Sequence, residues 1–222
     1  MNGVSVDSTG RSGGLALLWR KDIQVSLRNY STRFIDIDYI IQDTSIRVTV
    51  TYGEPNVSLR RNFWNFFKSI KSDARIPWIS FGDFNEVMTQ AKFCGRGPRA
   101  EWQIHHFREA LSHCGLSNMG YKGSRFTWQH LSVYLFTQQA RLDRCVGNES
   151  LTSLFPWHSI EHIPTISSDH QALFIKLHTK SPSSFRQQRK NPFRFEACWI
   201  KKNCEKIIEA NWYSDSNSLR DN

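Results

Sequence analysis

The chain has 222 residues, 39% of them hydrophobic and 13% aromatic, so it is long enough to bury a core and too apolar to be disordered from end to end. No apolar run approaches the ~18 residues of a membrane span, and the N-terminus, with Asp7 ahead of any apolar stretch, lacks the layout of a secretory signal. The net charge is +9, and residues 176–206 hold nine Lys and Arg against Glu196 and Glu205, a composition that fits either a polyanion-binding tail or a solvated linker.

Strand signals come first. Leu15 to Trp19 is a short apolar run behind Gly13 and Gly14. Ile23, Val25 and Leu27 alternate with polar residues, as do Phe34 to Ile41 less strictly, and Ile46, Val48 and Val50. Period-two patterning with β-branched residues predicts strands with one buried face. The period then lengthens. Leu59, Phe63, Phe66, Phe67 and Ile70 share the face of an amphipathic helix, with Ser58 as its expected N-cap. Pro77 closes that segment, Trp78 to Phe81 reads as a buried strand, and Gly82 is expected to break it. Ile104, Phe107, Leu111 and Cys114 mark a second helix over about 101–114, with Gly115 at its C′ position. Phe126 to Trp128 reads as a strand. Leu142 to Phe155 has helical spacing interrupted by Gly147 and Asn148. Ser159 to Ile163 and Ala172 to Leu177 read as strands. After His178 the chain turns to Ser, Pro, Gln and basic residues, the composition of a linker. Residues 1–178 therefore form the expected domain and 179–222 the tail. Strands dominate and two helices intervene, so the predicted class is α+β, two sheets flanked by helices.

Five cysteines, at 94, 114, 145, 198 and 204, are an odd number without a Cys-x-x-Cys pair. They argue against a disulfide framework and against zinc, and for a reducing intracellular location, nuclear or cytoplasmic. His105 and His106 are neighbours, so on a helix they diverge and make a poor metal pair, and the remaining histidines have no ligand spacing. Trp102, Phe107 and the Phe63–Phe67 cluster read as core-facing rings.

Four polar segments follow buried strands: Tyr52-Gly53-Glu54-Pro55-Asn56, Gly82-Asp83-Phe84-Asn85-Glu86, Arg141-Leu142-Asp143-Arg144 and Ser168-Asp169-His170. Loops on a rigid sheet are where catalytic groups collect. Each segment alone also fits a structural reading. Asp-x-Asn makes an Asx turn, Ser-Asp caps a turn, and Leu-Asp-Arg lies on an exposed helix face. His170 alone reads as a core histidine paired to Asp143, and Arg141 and Arg144 as solvated charges.

In order, and together with Ser12-Gly13-Gly14-Leu15-Ala16-Leu17-Leu18 and Phe126-Thr127-Trp128, these segments resemble the endonuclease/exonuclease/phosphatase superfamily. Gly-Arg-Ser-Gly-Gly-Leu-Ala-Leu-Leu-Trp at 10–19 and Pro-Phe-Arg-Phe-Glu at 192–196 are similar to segments of the endonuclease region of plant non-long-terminal-repeat retrotransposons. The resemblance implies a four-layer α/β/β/α sandwich of two packed mixed sheets. It also implies hydrolysis of DNA phosphodiesters with Mg2+ or Mn2+, DNA as partner, and no membrane. By that resemblance Asp83 orients or deprotonates the attacking water, and Asn85, on the same side of an extended chain, holds the water or a phosphate oxygen. Asp143 bonds His170 and favours its protonated form, which stabilises charge at phosphorus or the leaving oxygen. Asp169 sits near the metal or the leaving group, Tyr52 donates to a phosphate oxygen, and Asn56 and Trp128 match positions that are structural or flank the substrate.

The family pattern begins with a strand ending in Asn, followed further on by a Glu that is the principal metal ligand. Residues 1–222 hold no counterpart of either, since no Glu precedes Glu54. The resemblance thus implies a domain truncated at its N-terminus, with first strands missing, sheet edges unpaired, weak metal binding and little activity. The alternative is a non-catalytic remnant that binds nucleic acid through its basic tail. Lipid phosphodiesters, which some superfamily members cleave, find no support in the sequence.

Overall fold

The computed structural model describes residues 1–181 except 11, 42–43, 96 and 131–137. The chain divides into two compact units, Met1–Ser184 and Phe185–Asn222, and every described residue belongs to the first. The segment at 192–196 and most of the basic tail lie outside the described residues.

Hairpin β1 (Asn2–Thr9) and β2 (Ser12–Trp19) opens the chain. There follow β3 (Val25–Ser31), β4 (Phe34–Ile41), β5 (Thr44–Tyr52), helix α1 (Arg60–Ser69) and β6 (Trp78–Asp83). Next come β7 (Phe93–Cys94), helix α2 (Glu101–His113), β8 (Ser117–Asn118), β9 (Trp128–His130) and β10 (Gln138–Ala140). The described part ends with β11 (Asp143–Gly147), α3 (Glu149–Leu154), β12 (Trp157–Ile163) and β13 (Ala172–His178).

The main sheet has the order β3-β4-β5-β6-β11-β8; β5 and β6 run parallel and its other pairs antiparallel. On one face, Phe63, Trp64 and Phe67 of α1 and Phe107 and Leu111 of α2 pack with Trp78, Phe84 and Val146. On the other, Ile46, Ile79 and Cys145 pack with Ile160 of β12 and with Leu173, Ile175 and Leu177 of β13. The hairpin β12-β13 therefore forms a second sheet layer, and β2 lies against β4 and β5. A small sheet, β7-β10-β9, stands beside the main one. This is the packed-sheet α+β sandwich that the sequence predicted.

Both faces of β4 and β5 are covered, so their polar positions are interior rather than solvated. Asp36 and Arg47 are buried and bonded, with Arg47 Nη2 2.7 Å from Asp36 Oδ2. Thr49 Oγ1 donates to Asp36 Oδ1 at 2.7 Å and accepts the Trp78 indole N–H at 2.8 Å. Arg47 also stacks over the Trp78 ring and donates to Ile70 O beyond α1. The alternation was real, but its polar side serves as the seat of α1.

Several local expectations are corrected. Asn56, not Ser58, is the cap: its Oδ1 accepts the Ser58 N–H at the start of a short 3-10 turn that leads into α1. Gly82 does not break its strand; β6 continues through it to Asp83. Residues 142–155 split into β11 and α3, because Asn148 caps α3 with its side chain on the Leu151 N–H. The strand expected at Phe126 starts at Trp128. Trp102 is exposed, not core-facing, whereas Phe63, Phe67 and Phe107 are buried. Strand β1 was not foreseen, as Val4 and Val6 are its only apolar alternation among Gly, Ser and Asp.

Asp36→Ala leaves the Arg47 guanidinium buried without its carboxylate. A loss of about 3–5 kcal/mol is expected in urea unfolding, and a loss under 1 kcal/mol would show the pair to be incidental.

Candidate active site

Three neighbouring strands deliver Tyr52, Asp83 and Asp143 to one row. Tyr52 pairs with Asp83 across the parallel β5-β6 register, and Asp83 with Asp143 across the antiparallel β6-β11 register. Side chains alternate along a strand, so Asp83 and Asp143 share the face of Ile79, Phe81 and Cys145. They stand where that face runs out of core.

Glycine makes the row possible. A Cβ on Gly82, whose φ is 131°, would lie 2.1 Å from Thr51 O, and one on Gly53 would lie 2.2 Å from Phe84 O. Both sites need a residue without a side chain. Beyond Asp83, fully buried Phe84 anchors the loop against Phe67 and Phe107, and its N–H donates to Leu142 O. The loop is an Asx turn. Asp83 Oδ1 accepts the Asn85 N–H at 2.7 Å, and Asn85 is left-handed at φ 54°. The chain is thus not extended at Asn85 as expected. Its amide turns to donate to Gly53 O at 2.9 Å, and the residue still borders the same cleft as His170.

His170 completes the site from the loop before β13. Its Nδ1 lies 2.8 Å from Asp143 Oδ2, which directs Nε2 away from Asp143. Backbone pairing of Trp128 with His170, and of Gln129 N–H with Asp169 O, fixes that loop to β9. The Trp128 indole N–H donates to Asp169 Oδ2 at 2.9 Å. Thr127 is the group that the sequence reading passed over. Its buried hydroxyl oxygen accepts the N–H of both Leu142 and Asp143, at 3.0 and 2.9 Å. The segment that carries Trp128 is thereby bolted to the strand that carries Asp143. Its only sequence signal was its place inside Phe-Thr-Trp.

The electrostatics follow from this crowding. Burial and the facing Asp143 carboxylate push the Asp83 carboxyl up to about 6, against the Asn85 N–H and the cations His170 and Arg60. Burial works to lower the His170 imidazole, but the Asp143 hydrogen bond and the charges of Asp143, Asp83 and Asp169 raise it above its ordinary value. Asp83 is thus a better base than a free carboxylate, and His170 a more persistent cation than a free imidazole.

The other expected residues have structural duties. Tyr52 lies under Arg33, 5.3 Å from its ring centroid, and its hydroxyl has no hydrogen-bond partner among the described residues. Asn56 is exposed and occupied with capping. Trp128 borders both clefts that flank His170, of about 520 and 530 Å³. Arg141 and Arg144 are not solvated: they are 3% and 1% exposed. Burial pushes Arg144 down to about 9, and its guanidinium donates to Arg141 O.

No three His, Cys, Asp or Glu side chains among the described residues gather as a metal group. Glu54 is engaged by Arg33 and Glu86 by Arg60. Asp83, Asp143 and Asp169 remain as hard oxygen donors. They suit a magnesium ion held by one or two carboxylates with most of its waters, not a closed protein cage. No described helix is long and apolar enough to cross a membrane.

Comparison with known proteins places the fold in a family. Residues 2–170 match the Endonuclease/Exonuclease/phosphatase family, and the chain belongs to it. Among solved structures it is similar to the endonuclease domain of TRAS1, a telomere-specific non-LTR retrotransposon, with a TM-score of 0.64, 16% identity and 81% of each chain covered. It also resembles the AP endonuclease LMAP from Leishmania major, with a TM-score of 0.52 and 14% identity over 71% of this chain and 62% of that one. A third likeness is TDP2 from C. elegans, with a TM-score of 0.51 and 13% identity over 78% and 56%. No curated protein matches the sequence.

Two outcomes follow from the electrostatics. In NMR titrations the His170 ring is expected to titrate above the usual histidine range, and Asp143→Asn to bring it back down; an unshifted wild-type ring would refute the pairing. Asp83→Asn is expected to stabilise the fold at pH 8. The sign follows from linkage: a carboxyl raised from 3.8 to about 6 binds its proton more tightly when folded. The ionised form therefore costs stability above about pH 6, and the advantage of Asn should shrink as pH falls from about 6 to 4. Parallel unfolding curves at pH 8 and 4 would contradict this.

Proposed function

We propose that this domain is a metal-dependent phosphodiesterase acting on DNA, of the kind carried by plant non-LTR retrotransposons. The observation that carries the proposal is the row in which Asp83 faces Asp143 while Asp143 holds His170. Asp83, largely ionised at neutral pH yet more basic than a free carboxylate, accepts a proton from the attacking water. His170, held protonated, directs Nε2–H at the oxygen on which charge develops. Asn85, which borders the cleft of His170, and Tyr52, which pairs with Asp83 across the sheet, orient a phosphate oxygen.

A divalent ion, when bound, supplies positive charge at the phosphate and relieves the facing carboxylates. One or two of these carboxylates, the Asp83–Asp143 pair or Asp169, would hold it. Among the described residues no Glu joins them, so we expect weak metal affinity and slow turnover. The basic composition of 176–206 favours a second reading, binding of nucleic acid without cleavage.

Nicking of supercoiled plasmid by purified protein decides between them. The expected result is slow nicking whose rate keeps rising with Mg2+ and is abolished by chelator, by Asp83→Ala and by His170→Ala. Nicking that survives both substitutions would overturn the site. Fast nicking that saturates at low Mg2+ would overturn the impairment, and no nicking by folded protein would leave the second reading.

A further inference from the structure

Beside the catalytic row lies a cluster of cations with no carboxylate. At its centre is Tyr121. The Arg141 guanidinium carbon is 3.9 Å from the Tyr121 ring centroid, and the His162 ring stacks at 4.6 Å with planes 8° apart. Two groups so close to one centroid occupy opposite faces of the phenol. Lys92 Nζ donates to Tyr121 Oη at 2.8 Å. Exposed Arg125 donates to Ala91 O, one residue before Lys92.

Buried cations are ordinarily paired with acids. Arg47 is paired in this way with Asp36 and Arg60 with Glu86. Arg141 is not, nor is its buried neighbour Arg144, which donates to backbone carbonyls. Among the described residues no ion pair involves Lys92, Arg125 or Arg141. Arg141 is 3% exposed, its Nη2 bonds the neutral Asn118 amide at 3.0 Å, and its Nε has no partner. The π face of Tyr121 offsets part of that charge. The rest of the field emerges where Lys92 and Arg125 reach the surface. The phenol registers it: the Lys92 hydrogen bond, with Arg141 and Arg125, draws Tyr121 below its usual range.

The cluster is tied to the reaction row. Arg141 N–H donates to Lys92 O at 3.0 Å, and Arg141 stands two residues before Asp143, at most about 7 Å along the chain.

We infer that Lys92, Arg125 and the Tyr121 hydroxyl, backed by Arg141, form a second anion site that takes a phosphodiester phosphate next to the one cleaved. The inference rests on the nuclease reading for its ligand. Its residues are absent from the catalytic row, so they set grip and strand path rather than the chemical step.

The test is binding in chelator, where no cleavage occurs. A fluorescent DNA duplex is titrated with full-length protein over a range of salt, for wild type, Lys92→Gln/Arg125→Gln, Tyr121→Phe and the control Lys71→Gln/Arg75→Gln. The control removes the same charge from exposed positions on the chain leading into β6, away from Asp83. Each lost phosphate contact lowers the log–log salt slope by about 0.9. The Lys92/Arg125 variant is expected to lose about 0.9 from the slope, Tyr121→Phe to weaken binding with the slope kept, and the control to match wild type. Equal slope loss in both double variants, or none in either, overturns the site. If that occurs while wild-type protein still binds and nicks, the nuclease reading survives. A wild type that binds no DNA overturns both. A lowered slope without any nicking keeps the site and removes only the catalysis.

Discussion

Asp83 and Asp143 occupy directly opposed positions of an antiparallel pair, where like charges repel. The surrounding structure is a set of answers to that repulsion. Asp143 is compensated by His170 and by the turn that carries it. Asp83 receives one backbone N–H and, at longer range, the fields of His170 and Arg60, and its carboxyl still lies near 6. The residual imbalance is local and lies beside His170, which borders two clefts. An apolar core would have excluded such a pair; a site that must receive a cation or a proton has reason to keep it.

Rigidity is what keeps the imbalance from relaxing. Two carboxylates on mobile loops would separate. Here both end strands of one sheet, and each is pinned from the side. Gly53 and Gly82 let β5, β6 and the loop at Phe84 approach closer than any side chain permits. Thr127 spends both acceptor directions of its hydroxyl on the backbone beside Asp143. Removing that hydroxyl loosens Asp143 and the histidine loop together, though Thr127 touches neither carboxylate.

The parts of this arrangement that were legible in the sequence are those with a one-dimensional signature. Strands β2 to β6, both long helices and the hairpin β12-β13 showed their period, and the site residues sat just after apolar runs. What stayed hidden depended on contacts across the chain. Arg141 to Arg144 looked like a charged helix face, because helical spacing from Leu142 to Phe155 was coincidental and the charges find buried partners only in three dimensions. Asn85 was placed on an extended strand because nothing local announced a left-handed residue. Trp102 was assigned to the core by helix spacing, yet α2 presents it outward because Phe107 and Leu111 fill the contact with α1 and the sheet while Ile104 packs with Val87, Ala140 and Leu142.

The titration shifts of the row have a common direction in function. An ordinary Asp is too weak a base to take a proton from water with any efficiency, and an ordinary His is mostly neutral at pH 7. In the proposed reaction, raising both would move the base toward the working pH and keep the acid charged there. Both shifts draw on the same charges. Asp143 disfavours ionisation of Asp83 and favours protonation of His170, so one buried carboxylate shifts both partners. The ionised base and the charged imidazole then stabilise each other across it. Their useful states coexist over a range of pH bounded below by Asp83 and above by His170.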